Sequence, residues 1–336
     1  MKYKISVNNL DLLRLLLALS VVFLHLKHLS QSDLSKTLGD FFYHISANAV
    51  PSFFIISGFL IYMSYERSSS LRSYLGNRFL RLYPAYVLLI LGCTIFLGLV
   101  SELALADYYS FATIKYFLYN SLFLNFMSPS LPGVFENHNL TIVNGALWSL
   151  KIEVMFYLTV PLLFRVLESK YSLIYMLIIY ILSFYYINII EFISIENSKY
   201  LSLTHQLPAQ MSYFIAGIFC YKYYSLMVKW KMFIIPISLL GLFFEVVYLQ
   251  PLLLALLLVI VFIDFRYIIS LKKVGDLSYG VYIYHFPLIQ LFIYFGVGFT
   301  SMAEVLLLFL SVLFISFLSW KFVEKPSLAL KRYIRT

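Results

Sequence analysis

The stretch that decides the fold is residues 10–29, LDLLRLLLALSVVFLHLKHL, an apolar run with Arg14 near its start and His25 near its end. A run of this length predicts a membrane-spanning helix. From Arg14 to His25 an α-helix turns by about 1100° and rises about 16 Å, which places both side chains on one face. Ionisable residues in such helices usually line a cavity or a substrate, ion or proton pathway. Arg14 and His25 are therefore the first candidates for chemistry.

The composition agrees with a membrane protein. Of 336 residues, 62% are hydrophobic and only 12% are charged, whereas soluble domains carry about 25% charged residues. A net charge of +9 could indicate nucleic-acid binding, but the Lys and Arg residues cluster in alternate loops, as the positive-inside rule describes. Cys93 and Cys220 both lie in apolar runs and indicate neither a disulfide nor a metal site.

We expect an all-α, polytopic integral membrane protein with about ten transmembrane helices. With the N-terminus in the cytoplasm, 19 of the 25 Lys and Arg residues fall on the cytoplasmic side and four fall outside, and both termini are cytoplasmic. Residues 111–127 are apolar but contain Lys115, and we expect a re-entrant or interfacial segment there. We expect residues 1–336 to form one membrane domain, with no soluble appendage. The expected spans are residues 10–29, 44–64, 81–101, 145–164, 171–191, 207–224, 232–249, 251–265, 276–297 and 303–320.

Two arginines follow the second span on the predicted cytoplasmic side. Arg78 and Arg81 are three residues apart and share a helix face, so that they could bind phosphates by bidentate contacts. The alternative is a juxtamembrane anchor on anionic lipid. Their spacing alone favours neither interpretation.

Small and polar residues also occur inside the predicted spans. Ser57 and Gly58 fit close helix packing at least as well as function. Glu153 lies about 12 Å deep in its span, with Tyr157 one turn later on the same face. A carboxylate at that depth would be partnered, protonated or facing water. The alternative is a structural pair, in which Lys151 extends outward and Glu153 bonds another helix.

His285 would lie near mid-membrane, beside a kink at Pro287 whose freed carbonyls could bond it. A structural histidine is as good an interpretation as a catalytic one. Glu324 ends the last span among basic residues, and a charge-pair anchor is the favoured interpretation. In depth order, these polar residues would describe a track across the membrane if their helices face one another.

In their order along the chain, these segments resemble the acyltransferase 3 family of integral-membrane O-acyltransferases, over roughly residues 8–328. Each motif alone is loose, but six in register with the predicted spans are specific. The matching pieces are Leu10-Asp11-x-x-Arg14 with ten residues to His25, Ser57-Gly58-Phe59-Leu60, Arg78-x-x-Arg81-x-Tyr83-Pro84-Ala85, Leu147-Trp148-Ser149-Leu150-x-x-Glu153-x-x-Phe156-Tyr157, Ser278-Tyr279 through His285-x-Pro287, and Phe322-x-Glu324-x-Pro326.

The resemblance implies acyl transfer, usually of acetyl from acetyl-CoA, to a hydroxyl of an extracytoplasmic or lipid-linked glycan such as O-antigen, capsule or exopolysaccharide. It implies a location in the cytoplasmic (inner) membrane, surrounded by lipid and without nucleic acid or metal. Arg14 and His25 match the family's Arg-x10-His pair, and Arg78 and Arg81 match its Arg-x-x-Arg pair.

Elementary chemistry suggests a role for each residue. A sugar hydroxyl needs a base, and the imidazole of His25 fits that role. Glu153 could orient that imidazole, and Arg14 could bind the donor or stabilise an oxyanion. An acyl-His25 intermediate stays open beside direct transfer. We expect Ser57, Tyr157 and His285 to support substrate or structure.

A different class of protein also uses intramembrane charges. A transporter or flippase of lipid-linked glycans would carry them along its pathway. The sequence contains no inverted repeat and no paired broken helices, and this favours the enzyme.

Overall fold

The computed structural model describes residues 9–265 and 275–334, and within these ranges the chain is helical and contains no strand. All-α architecture, as expected, follows from apolar runs long enough to satisfy their backbone polar groups within helices. Six basic residues used in the charge count lie outside the described residues, namely Lys2, Lys4, Arg266, Lys272, Lys273 and Arg335.

The α-helices of the described ranges are numbered in chain order. They are α1 Leu10–Ser30, α2 Asp33–Phe41, α3 Tyr43–Ala47, α4 Ala49–Glu66, α5 Leu71–Phe96, α6 Leu105–Tyr108, α7 Phe111–Ser121, α8 Trp148–Leu167, α9 Ser172–Ser194, α10 Leu207–Lys222, α11 Tyr224–Lys229, α12 Lys231–Phe243, α13 Gln250–Val259, α14 Ser278–Tyr294, α15 Met302–Ser319, α16 Lys325–Ala329 and α17 Lys331–Ile334. Short 3-10 segments are Leu97–Val100, Asn125–Met127, Gly145–Leu147, Ser198–His205 and Val247–Leu249, and π-helical turns are Ile260–Asp264 and Trp320–Glu324.

Six helical segments of the described chain are long and apolar enough to cross a membrane. Each remaining predicted span also contains a helix, but that helix is shorter or more polar. The six segments are Leu10–Ser30, Ala49–Glu66, Leu71–Val100, Ser172–Ser194, Val247–Asp264 and Met302–Ile334.

The third predicted span has a different start from the one expected. Its helix, α5, begins at Leu71, although the hydropathy pattern placed the span at residues 81–101. Arginine is a good helix former. The polar residues before position 81 therefore mark where the apolar run begins, but they already belong to the helix. Arg78 and Arg81 lie inside α5 as a result.

Helix α7 bears on the segment expected to be re-entrant or interfacial. It has 11 residues and is about 16 Å long, roughly half the thickness of the hydrocarbon core. Phe111 at its start is strongly exposed. Its length is too small for a crossing, and its re-entrant or interfacial position stays a prediction.

The chain divides into two compact units. The first contains the described parts of Met1–Leu13, Val50–Leu75 and Ile152–Ser270. The second contains the described parts of Arg14–Ala49, Gly76–Lys151 and Leu271–Thr336.

Helices α4 and α10 of the first unit approach each other at two glycines. A Cβ atom on Gly58 would lie 2.1 Å from the carbonyl oxygen of Phe214, and one on Gly217 would lie 2.0 Å from that of Ile55. Only residues without a side chain permit this approach, which is typical of membrane helix pairs. The buried rings of Phe156 and Phe214 stack beside it, with centroids 3.9 Å apart.

In the second unit, two contacts show that α1 and α14 run side by side in the same direction. His25 lies against His285, and the hydroxyl of Ser30, at the end of α1, donates to the carbonyl of Gly298, four residues after the end of α14. The residue numbers increase together along the two helices, as parallel chains require. This helix pair carries three of the candidate residues, Arg14, His25 and His285.

Candidate active site

Two histidines form a pair between α1 and α14. His25 Nδ1 lies 2.8 Å from His285 Nε2, and His285 Nδ1 lies 3.0 Å from the carbonyl oxygen of Val281. His285 is fully buried and His25 is half-buried. Phe286 packs edge-on against the His25 ring, with centroids 5.1 Å apart. The more exposed member of the pair is thus held by the buried one.

The partners of His285 fix which nitrogens carry protons. A carbonyl oxygen only accepts, so the proton of a neutral His285 sits on Nδ1 and its Nε2 is an acceptor. His25 Nδ1 must then donate to His285 Nε2. A neutral His25 in this arrangement keeps its lone pair on Nε2, where it can accept a proton from a hydroxyl.

A second polar cluster joins α1, α5 and the residues before α14. Arg14 Nη1 lies 3.3 Å from Asp276 Oδ2, and Arg81 donates to the same oxygen. The hydroxyl of Ser278 donates to the other oxygen, Oδ1, at 2.5 Å. The three charged side chains are mostly buried, with exposures of 23%, 20% and 13% for Arg14, Arg81 and Asp276. Two guanidinium groups share one carboxylate, and together the three carry one unit of positive charge.

The backbone before α14 is shaped to present Asp276. Gly275 has φ +98°, a conformation that favours glycine, and a Cβ there would overlap the indole of Trp320. After Asp276, the hydroxyl of Tyr279 donates to the carbonyl of Leu82 at 2.8 Å, next to Arg81 in α5. These contacts hold α14 and α5 together at the level of the charged cluster.

Sequence reasoning did not assign a role to Asp276. The available signal was a lone carboxylate at the first residue of a predicted span, in a chain with two arginines inside predicted spans that need a counter-ion. A sequence pattern gives no information on the spatial distance between Arg81 and Asp276, which lie almost 200 positions apart in the chain. The structure brings Arg14 and Arg81 together on this carboxylate.

Arg78 and Glu324 are two further residues of the second unit that the sequence analysis singled out. Arg78 is partly buried, one turn before Arg81 in α5. Glu324 is buried, and its Oε1 accepts a hydrogen bond from the hydroxyl of Ser319 at 3.2 Å. Ser319 in turn accepts from the hydroxyl of Tyr284, at 3.2 Å.

Pro287 frees one backbone carbonyl inside α14, and the hydrogen-bond partner of this carbonyl differs from the expected one. Proline lacks the N–H that would bond the carbonyl four residues earlier, and this carbonyl, of Ile283, accepts from Asn144 Nδ2 at 2.8 Å. His285 instead bonds the carbonyl of Val281. The freed carbonyl therefore binds a loop and not the histidine.

Three predicted residues belong to the first unit. The hydroxyl of Tyr157 donates to Glu153 Oε1 at 2.5 Å within α8. Ser57 is buried in α4, beside the close approach at Gly58. The roles predicted for Glu153, Tyr157 and Ser57 stay predictions. Among the described residues of either unit, no group of three or more His, Cys, Asp or Glu side chains could hold a metal ion.

The chain is similar to two named proteins. It is 28% identical over 329 residues to a protein of Shigella phage Sf6 named "O-acetyl transferase", a match that covers 95% of each chain. It is 34% identical over 176 residues to "Nodulation protein 10" of Rhizobium leguminosarum bv. viciae. That second match covers 47% of this chain and 44% of the nodulation protein. No solved structure matches the chain.

A family model described as "Acyltransferase domain" matches residues 7–321, nearly the whole chain. This match confirms the resemblance inferred from the six motifs and the expectation of an acyl-transferring enzyme. Together with the apolar helices, it identifies a membrane protein. The chain belongs to the acyltransferase 3 family.

Proposed function

We propose that this protein is an O-acetyltransferase of the cytoplasmic membrane. It moves acetyl from cytoplasmic acetyl-CoA to a hydroxyl of an extracytoplasmic or lipid-linked glycan, such as O-antigen, capsule or exopolysaccharide. The similarity to the phage protein named "O-acetyl transferase" supports O-acetyl transfer as the chemistry.

The observation that carries the proposal is the presence of two polar clusters at different positions along α1 and α14. An arginine–carboxylate cluster lies at the start of the two helices, and a histidine pair lies further along them. From Arg14 to His25 the separation along α1 is about 16 Å. A donor with phosphates at one end and a thioester at the other fits such a spacing.

The first cluster suits the phosphate end of acetyl-CoA. Arg14 and Arg81 retain a net positive charge in the presence of Asp276, and guanidinium groups bind phosphate through paired, charge-assisted hydrogen bonds. Arg78 adds a third guanidinium one turn away on α5. We assign these three arginines to donor binding.

The histidine pair suits the reacting end. When bound, acetyl-CoA supplies the acetyl group as a thioester. His25 Nε2 accepts the proton of the acceptor hydroxyl as the hydroxyl oxygen forms the new ester, and returns a proton to the departing thiolate. His285 holds His25 in the tautomer that leaves Nε2 free. We also propose that Glu153 stabilises the charged imidazole and that Ser57 and Tyr157 support the substrate.

The orientation of the helices supports the proposed topology of ten crossings with both termini in the cytoplasm. Parallel spanning helices require an odd number of crossings between them. The ten-span prediction places seven crossings between α1 and α14, which run in the same direction. We propose that the whole chain acts as one membrane domain, with the donor on the cytoplasmic side.

The test is transfer of radiolabelled acetyl from acetyl-CoA by membrane vesicles that contain the protein and an envelope glycan. We expect label in the glycan fraction that mild alkali releases, because O-esters are alkali-labile. Vesicles without the protein provide the control. Label absent from the glycan, or bound in an alkali-stable form, contradicts the proposal.

A further inference from the structure

A long irregular loop lies next to the histidine pair in the second unit. Residues 128–144 contain no helix and connect the 3-10 segments Asn125–Met127 and Gly145–Leu147. Phe135 within it has φ +59°, and its buried ring stacks on His138. Loops of this length in compact proteins are usually functional when they are ordered by specific contacts.

Gln290 of α14 binds this loop with both ends of its amide. Its Nε2 donates to the carbonyls of Leu140 and Ile142, at 2.7 and 3.0 Å, and its Oε1 lies 2.8 Å from His138 Nδ1. Gln290 is fully buried. Because carbonyls only accept, the amide has one possible orientation, and His138 Nδ1 must donate to it. A neutral His138 then keeps an acceptor at Nε2.

Two asparagines tie the same loop to the two histidine-bearing helices. Asn139 Nδ2 donates to the carbonyl of Leu29 at 2.8 Å, one turn beyond His25 in α1. Asn144 Nδ2 donates to the carbonyl of Ile283, two residues before the histidine of α14. We call Gln290, Asn139 and Asn144 the outer clasp.

We propose that Gln290 is a positioning residue, and that the outer clasp holds residues 128–144 as one wall of the binding site for the acceptor glycan. In this position His138 Nε2 accepts a hydrogen bond from a sugar hydroxyl other than the one that reacts. The inference rests on the proposed function, since it concerns the acceptor of that reaction. It follows from contacts that fasten one loop to both helices of the histidine pair.

The experiment measures steady-state kinetics of purified Gln290→Met and Asn139→Ala in detergent or vesicles. Methionine has a size similar to glutamine but makes none of its three hydrogen bonds. We expect the KM for the glycan acceptor to rise at least tenfold in each variant. The KM for acetyl-CoA should stay within twofold of wild type, and kcat should fall less than the acceptor KM rises.

Asn197→Ala is the control, since Asn197 is an exposed asparagine of the first unit, outside residues 128–144, whose Oδ1 accepts from the backbone N–H of Lys199 at 3.0 Å. We expect its acceptor KM to stay within twofold of wild type. If Gln290→Met does not accumulate in membranes, the acceptor KM of Asn139→Ala tests the inference instead, because the Asn139 side chain is exposed.

Three results would overturn the inference while leaving the proposed function intact. They are an unchanged acceptor KM in the clasp variants, an equal rise in both KM values, and an equal effect of Asn197→Ala. A wild-type protein that transfers no acetyl to glycan would instead contradict the proposed function itself.

Discussion

At the scale of single residues, the structure distinguishes the two candidate histidines. His285 has both ring nitrogens engaged and no exposed surface, whereas His25 is half-buried and uses one nitrogen for His285. A general base must reach its substrate. This supports the proposal, made already from the sequence, that His25 is the base, and we propose a positioning role for His285.

The role of His285 predicts a difference between two substitutions. In His285→Gln, the amide can donate to Val281 and accept from His25, as the imidazole does. In His285→Leu it can do neither. We expect the glutamine variant to retain at least tenfold more kcat than the leucine variant at equal membrane abundance. Equal activity of the two variants would show that the contact does not orient His25.

The charged cluster makes a second prediction. Asp276→Asn removes the carboxylate shared by Arg14 and Arg81. Breaking a buried pair in this way costs about 3–5 kcal/mol. We expect a lower Tm in detergent and a larger rise in Tm on adding coenzyme A than in wild type, because phosphates replace the lost charge.

Asp40→Asn is the control for this experiment, since its pair with Lys27 is largely exposed and such pairs contribute little. If coenzyme A raises the Tm of Asp276→Asn and of wild type by the same amount, this would argue against phosphate binding at this cluster.

At the scale of helices, local patterns could be predicted and long-range partners could not. Helical periodicity is local, and by itself it places Arg14 and His25 on one face of α1. The partners Asp276 and His285 lie about 260 residues away along the chain. The packing of the whole unit determines which helix faces α1, and the periodicity of a single segment does not predict this.

The same distinction explains what was missed at the loop and at α5. Residues 128–144 have neither helical nor strand periodicity, and no role was predicted from the sequence for them or for Gln290. The start of α5 at Leu71 was missed because hydropathy reports the membrane boundary and not the end of the helix.

Close packing of α4 and α10 predicts a steric effect. Gly58→Ala places a methyl group 2.1 Å from the backbone oxygen of Phe214, and overpacking of this kind costs about 1–3 kcal/mol. We expect a lower Tm and lower membrane abundance. Gly92→Ala is the control, because a Cβ at Gly92 meets no atom within 4 Å. Equal Tm values for the two variants would show that the helices separate without cost.

At the scale of the whole molecule, we propose the orientation from the charge distribution, which puts 19 basic residues on the predicted cytoplasmic side and four on the other. Single cysteines at Ser69 and Ser198, both exposed, should report opposite sides. We expect a membrane-impermeant maleimide to label Ser198→Cys in intact cells, and Ser69→Cys only after permeabilisation. The native Cys93 and Cys220 are buried and should give little background. Labelling of Ser69→Cys in intact cells would reverse the orientation.

The central claim is that His25 is the base for acetyl transfer to a glycan hydroxyl. The most direct test compares the rate of acetyl transfer by His25→Ala and His28→Ala at equal protein abundance, since His28 is an exposed histidine of the same helix. Removing a general base costs about 10²–10⁴-fold in rate. We predict a loss of this size in His25→Ala and a rate within about twofold of wild type in His28→Ala. A His25→Ala protein that transfers acetyl at a near-normal rate would contradict the account.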